Sequence, residues 1–142
     1  MTGNIETFDQ LTGLIFAKLY ERFPIPASLD IMEFHEVFSS TGEEADIDTS
    51  FFNASVRWLI DSGYISDRAI WAGTNNFQQC TLTAKALEIL KGTPSVLSGK
   101  SIGDELQTAV KSGTLESLKA LTNEALSRGF GIAIKTVTDL SI

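Results

Sequence analysis

The side chains able to do bond chemistry are few in this sequence, and their spacing does not bring them together. His35 is the single histidine, set between Phe34 and Glu36 with Glu33 close by. A general base needs a partner within hydrogen-bond reach, and no nucleophile–base–acid grouping is visible around it, so a surface or half-buried role is the simpler reading. Cys80 is the single cysteine, between Gln79 and Thr81 in a strand-like run, where a small buried hydrophobe is expected rather than a nucleophile. With one Cys and one His no dense soft-metal site is expected. Glu43, Glu44, Asp46 and Asp48 can attract a cation loosely, yet they lack the Asp-x-Asp-x-Asp-Gly spacing and closing Glu of a calcium loop and read as a solvated acidic connection. A glycine-rich phosphate loop is absent as well. The chain reads as a non-enzyme without a cofactor.

Other residues are suited to recognition. Asn53 and Arg57 stand at i and i+4, which places both on one helical face, where an amide can read an adenine edge and a guanidinium a guanine edge. Arg68 and Asn75 extend this set of candidate DNA contacts. The field opposes it: net charge is −7, with 13 acids against 6 bases over Met1 to Gly92 and five of each from Thr93 onward. Cationic side chains supply most phosphate affinity, and among the outward candidates only Arg57 and Arg68 qualify, so duplex binding is disfavoured unless a dimer doubles them. Phe51, Ala54 and Trp58, at i, i+3 and i+7, form an apolar stripe of their own. Its two readings are burial under the same chain and an exposed anchor for a protein partner.

These residues need elements to hold them. Thr7-x-x-Gln10 offers a capping box for a first helix in which Phe8, Leu11, Ile15 and Leu19 recur at helical spacing, and Pro24 and Pro26 stop it by Phe23. Ile25 to Leu29 reads as a short edge strand. Asp30-x-x-Glu33 caps a short helix with Ile31, Phe34, Val37 and Phe38 inward, ending near Ser39 to Gly42. A third helix is expected to begin after Asp48 or Thr49 and to end at Gly63, with Phe52, Val56, Leu59 and Ile60 on its core side. Two strand-like runs, Tyr64 to Ala72 and Phe77 to Thr83, flank Gly73-Thr74-Asn75-Asn76, which makes them a hairpin. Thr83 then caps a helix closed by Gly92 and Thr93-Pro94.

The order helix, short strand, helix, helix, hairpin, helix resembles the winged helix-turn-helix superfamily. Trp58-Leu59-Ile60-Asp61-Ser62-Gly63-Tyr64-Ile65 and Leu82-Thr83-Ala84-Lys85-Ala86-Leu87 are similar to its recognition-helix exit and its wing-to-helix junction. The resemblance covers about two thirds of the chain and implies a DNA-reading third helix and wing, which is where Asn53, Arg57, Arg68 and Asn75 fall. Its motifs concern packing and capping, so they bear on fold more than on function.

From Ser95 the sequence departs from that pattern. Ser101 can cap a helix with Ile102, Leu106, Ala109 and Val110 on one face, and Ser112-Gly113-Thr114 permits a break before Leu115, Leu118, Leu121, Ala125 and Leu126. Phe130 to Ile134 reads equally as a strand or a frayed helical end, with Gly129 and Gly131 suggesting a bend. An apolar face of this size must fold back, pair with another copy or meet a different partner; pairing is the favoured reading, with Leu106, Val110, Leu115, Leu118 and Leu121 as its contacts.

The resulting expectation is a mainly α protein with a small antiparallel β-hairpin: a winged-helix domain over 1–92, a linker over 93–100 and a helical extension over 101–142. Charge interrupts every apolar stretch, so no membrane span is expected; the tail's equal, dispersed acids and bases lack the basic face of a membrane-surface helix, and a lone cysteine with no leader-like start makes a cytoplasmic setting the default. The function expected is self-association and protein contact, with a dimeric DNA-binding regulator as the alternative.

Overall fold

The computed structural model describes residues 3–34, 37–38, 45–67, 76–94, 99–113 and 115–140, the side chains of 45–47, 76, 115 and 130–140 aside. Among them the chain is mainly helical with a small antiparallel sheet: α1 (Asn4–Arg22), β1 (Ala27–Asp30), a 3-10 turn (Ile31–Phe34), α2 (Ala45–Asp61), β2 (Ile65–Asp67), β3 (Asn76–Leu82), α3 (Ala84–Lys91), α4 (Ile102–Ser112) and α5 (Leu115–Leu140). The strands lie in the order β1-β3-β2.

Local chemistry explains most of the element ends. Asp30 Oδ1 accepts from the Met32 amide at 2.9 Å while Glu33 Oε1 accepts from the Asp30 amide at 3.3 Å, a reciprocal cap on the 3-10 turn Ile31–Phe34; residues 35–36 and 39–42 of the short helix expected there lie outside the described residues. Thr83 caps α3 by accepting from the Ala86 amide at 3.2 Å, and its hydroxyl donates to the Gly63 carbonyl at 2.6 Å, tying the exit of α2 to the entry of α3. Gly63 takes the left-handed φ of 85° that ends α2. Ser101 caps α4 through the Asp104 amide at 3.1 Å.

Two boundaries differ from expectation. Helix α1 begins at Asn4 behind Gly3, which has no side chain to cap with, and Thr7 instead donates its hydroxyl back to the Gly3 carbonyl at 3.0 Å. Helix α2 begins at Ala45, several residues before Asp48.

In the sheet, Ala27 opposes Cys80 and Leu29 opposes Phe77, so β3 advances three residues where β1 advances two. Gln79, with φ of 56°, accommodates the extra residue as a bulge. Strand β1 is at one edge, where Lys18 donates to the Ser28 carbonyl and pairs with Glu33.

The core is one continuous cluster. Leu11, Ile15, Phe16 and Leu19 of α1, Phe52, Val56 and Leu59 of α2, Phe77 of β3 and Leu90 of α3 are all at most 2% exposed, and Ile102 and Leu106 of α4 and Leu118 and Ala125 of α5 join the same cluster. The C-terminal extension is therefore folded back on α1, the first of the three covers weighed for its apolar face. Glycines permit that close approach: a methyl group at Gly103 would collide with the Tyr20 ring, and one at Gly129 with the Tyr64 hydroxyl. Residues 130–140 continue α5 as helix and not as a strand. Among the described residues no helix is long and apolar enough to cross a membrane.

Candidate protein-docking surface

Side chains from the first turns of α1 and the middle of α2 line an open, shallow apolar hollow of about 410 Å³. Asn4, Ile5 and Phe8 line one side of it, and Phe51, Ala54, Ser55 and Trp58 the other. None of these side chains carries a charge, so the hollow offers contact and shape rather than acid–base chemistry. Its anchor is Trp58, which is 48% exposed although its ring is held in place from within the molecule. Phe8 meets it edge-to-face with ring centroids 5.4 Å apart, and Tyr64 stacks on it at 6.1 Å. Tyr64 is fixed in turn: its hydroxyl donates to the Leu126 carbonyl of α5 at 3.4 Å, and the Lys85 ammonium lies 4.2 Å from its ring centre. Burial pushes the Tyr64 phenol above its ordinary pKa, keeping it protonated as that donor. At the other end Phe38 packs against Phe51 at 6.1 Å. Ile5, 71% exposed, completes the outer lip.

The remaining residues singled out in the sequence fall in different places. Leu106 and Leu118 are buried in their own chain, at 0% and 1% exposure, and so are not open to a second copy; Leu121 is half-buried against the same core. Both buried leucines are on the faces that α4 and α5 turn toward the core shared with α1, where the intramolecular partner is always at hand. Val110 remains exposed beside Leu14, Lys18 and Glu33 in a smaller hollow of about 250 Å³, and the Leu115 side chain lies outside the described residues.

Of the candidate DNA contacts, Asn53 is half-buried. The Arg57 guanidinium lies 5.9 Å from the centre of the Phe77 ring, so it is drawn toward the sheet. Arg68 and Asn75 lie outside the described residues, as do His35, Glu43 and Glu44.

Cys80 is fully buried, its thiol pushed up to about 12 first by burial and then by the nearby Asp67 charge. No group of three or more His, Cys, Asp or Glu side chains gathers to hold a metal among the described residues.

Asn4, Ile5, Phe8 and Ser55 line the hollow beside the stripe of Phe51, Ala54 and Trp58 that the sequence shows, and Ile5 and Phe8 are its apolar additions. Ile5 precedes Thr7, the start that the capping pattern offers for the first helix, and Phe8 shares the helical spacing of Leu11, Ile15 and Leu19. The i, i+3 spacing of Ile5 and Phe8 behind Gly3 is the signal that joins them once the helix begins at Asn4. No family model, curated protein or solved structure matches the chain.

Proposed function

We propose that this chain is a non-enzymatic winged-helix module that acts by docking another protein on the α1/α2 face. The element order, with a sheet arranged β1-β3-β2 between helices, supports the winged-helix part of the reading. The observation that carries the docking part is Trp58, an indole braced by Phe8 and Tyr64 yet 48% exposed at the wall of an uncharged hollow. A large ring held in position before contact loses little rotamer freedom on binding and buries much area, the combination that makes tryptophan an interface anchor.

The test is a titration of the purified protein with duplex DNA across a salt series, with the oligomeric mass measured in the same buffers. A docking module of this charge should show no saturable binding even at low salt. Saturable binding that weakens steeply with salt would overturn the reading in favour of a DNA regulator and make Arg57 and Arg68 the next residues to change. The same samples report whether the face joins copies: a dimer that Trp58→Ala dissociates, and the exposed-site change Ile5→Glu also dissociates, would make the docked protein a second copy.

A further inference from the structure

The ends of α2 differ in character from its middle. Asp48 lies one turn before Phe51 and Asp61 one turn beyond Trp58, so the apolar stretch is bracketed by carboxylates. Neither makes an ion pair among the described residues, where the pairs involve Lys18, Lys119 and Arg128. Upstream the sequence adds Asp46, Glu44 and Glu43. The single cation of α2, Arg57, is drawn over Phe77, and Lys85 donates to the Ser62 carbonyl at 2.9 Å while lying over Tyr64. A second copy would bring the same carboxylates, and a net charge of −7, against themselves.

From this arrangement we infer that the α1/α2 hollow receives a basic amphipathic helix of a partner protein. Its apolar side chains lie along Ile5, Phe8, Phe51 and Trp58, and its Lys or Arg residues face Asp48 and Asp61. The inference rests on the docking reading of the same face. The size agrees: Phe51 to Trp58 spans roughly 10 Å of helix, the reach of apolar side chains at i, i+3 or i+4 and i+7 on a docked helix.

The experiment uses the full chain and two synthetic amphipathic peptides of identical apolar face, one flanked by lysines and one by glutamates. Binding is followed by the Trp58 indole N–H resonance, assigned by its loss in Trp58→Phe. The lysine peptide should shift that resonance saturably and bind about tenfold more tightly than the glutamate peptide, the gap narrowing with salt. The double change Asp48→Lys with Asp61→Lys should reverse the preference while the far-UV spectrum stays the same, and Ile5→Glu, at an exposed position, should weaken binding of both peptides. Equal binding of the two peptides through Trp58 would overturn the basic partner and leave the docking reading standing. Absence of any shift in a chain that is monomeric by mass would overturn both, and absence of a shift in a dimer would assign the hollow to a second copy.

Discussion

Cys80 and Asp9 show what burial does to a titrating side chain in this protein. With its thiol pushed up to about 12 and its Sγ 3.7 Å from the Phe77 carbonyl, Cys80 should resist iodoacetamide at pH 8 in the folded chain and react within minutes in urea. Mass spectrometry of the alkylated protein checks this, and prompt labelling without denaturant would contradict the packing around β3. Asp9 is 3% exposed on α1, and burial raises its pKa above the ordinary 3.8, with Lys119 opposing the shift and Glu6 adding to it. The folded chain thus holds that proton more tightly than the unfolded one. Ionisation of Asp9 therefore opposes folding, and its contribution to stability falls as pH rises from 3.8 through the raised value. Asp9→Asn should raise the melting temperature at pH 7, and the gain should fade as the pH drops below 3.8; a gain independent of pH would assign the effect to packing instead. At this scale the sequence was informative where the chemistry is local. Thr83 and Ser101 cap helices as their types predict, and Phe52, Val56 and Leu59 turn inward as their spacing requires. The side of α2 carrying Phe51 and Trp58 was visible as a stripe, but whether anything covered it depended on where distant segments pack.

Among the elements, α5 is the one whose character the sequence concealed. Glycines at 129 and 131 weaken a helix in isolation, by about 1 kcal/mol each relative to alanine, and a short local window reads them as a bend. Packing reverses the sign at Gly129, because the absent side chain is what lets the Tyr64 hydroxyl come against the helix and reach the Leu126 carbonyl. Gly129→Ala should therefore lower the unfolding free energy by about 1–3 kcal/mol despite its better helix propensity. The loss should be smaller in a Tyr64→Phe background, where the colliding oxygen is gone. Denaturant melts of the four proteins in that cycle decide the matter, and a stabilising Gly129→Ala would mean that propensity outweighs the clash. The start of α1 was concealed for a different reason: its cap is Gly3, which signals nothing through a side chain, whereas Thr7 and Gln10 advertise a start that the helix passes straight through.

Across the whole molecule, the extension is part of the core rather than an appendage to it. Ile102, Leu106 and Leu118 are each at most 1% exposed, and burial of three such side chains contributes roughly 5–9 kcal/mol, comparable to the entire stability of a small domain. Tyr20 and Ser101 share a hydrogen bond at 3.2 Å, and Arg128 donates to the Thr93 carbonyl at 2.6 Å, so polar ties reinforce the same union. A chain ending at Gly92 should fail to unfold cooperatively and should show poor amide dispersion by NMR; a well-dispersed spectrum would prove the first 92 residues autonomous. An apolar face in a sequence reveals that something covers it but not what, and here the cover is α1, nearly a hundred residues earlier in the chain. Lys18 at the sheet edge carries a consequence for long-term solubility. By occupying the Ser28 carbonyl it removes one acceptor from the outermost strand, and such acceptors template cross-β growth. Lys18→Gln should leave the far-UV spectrum intact while shortening the lag before thioflavin-positive fibrils form at high concentration. An unchanged lag would show that this amine is not the gatekeeper. Acetylation of the same amine would act in the same direction, making one lysine's charge a determinant of how long concentrated protein stays in solution.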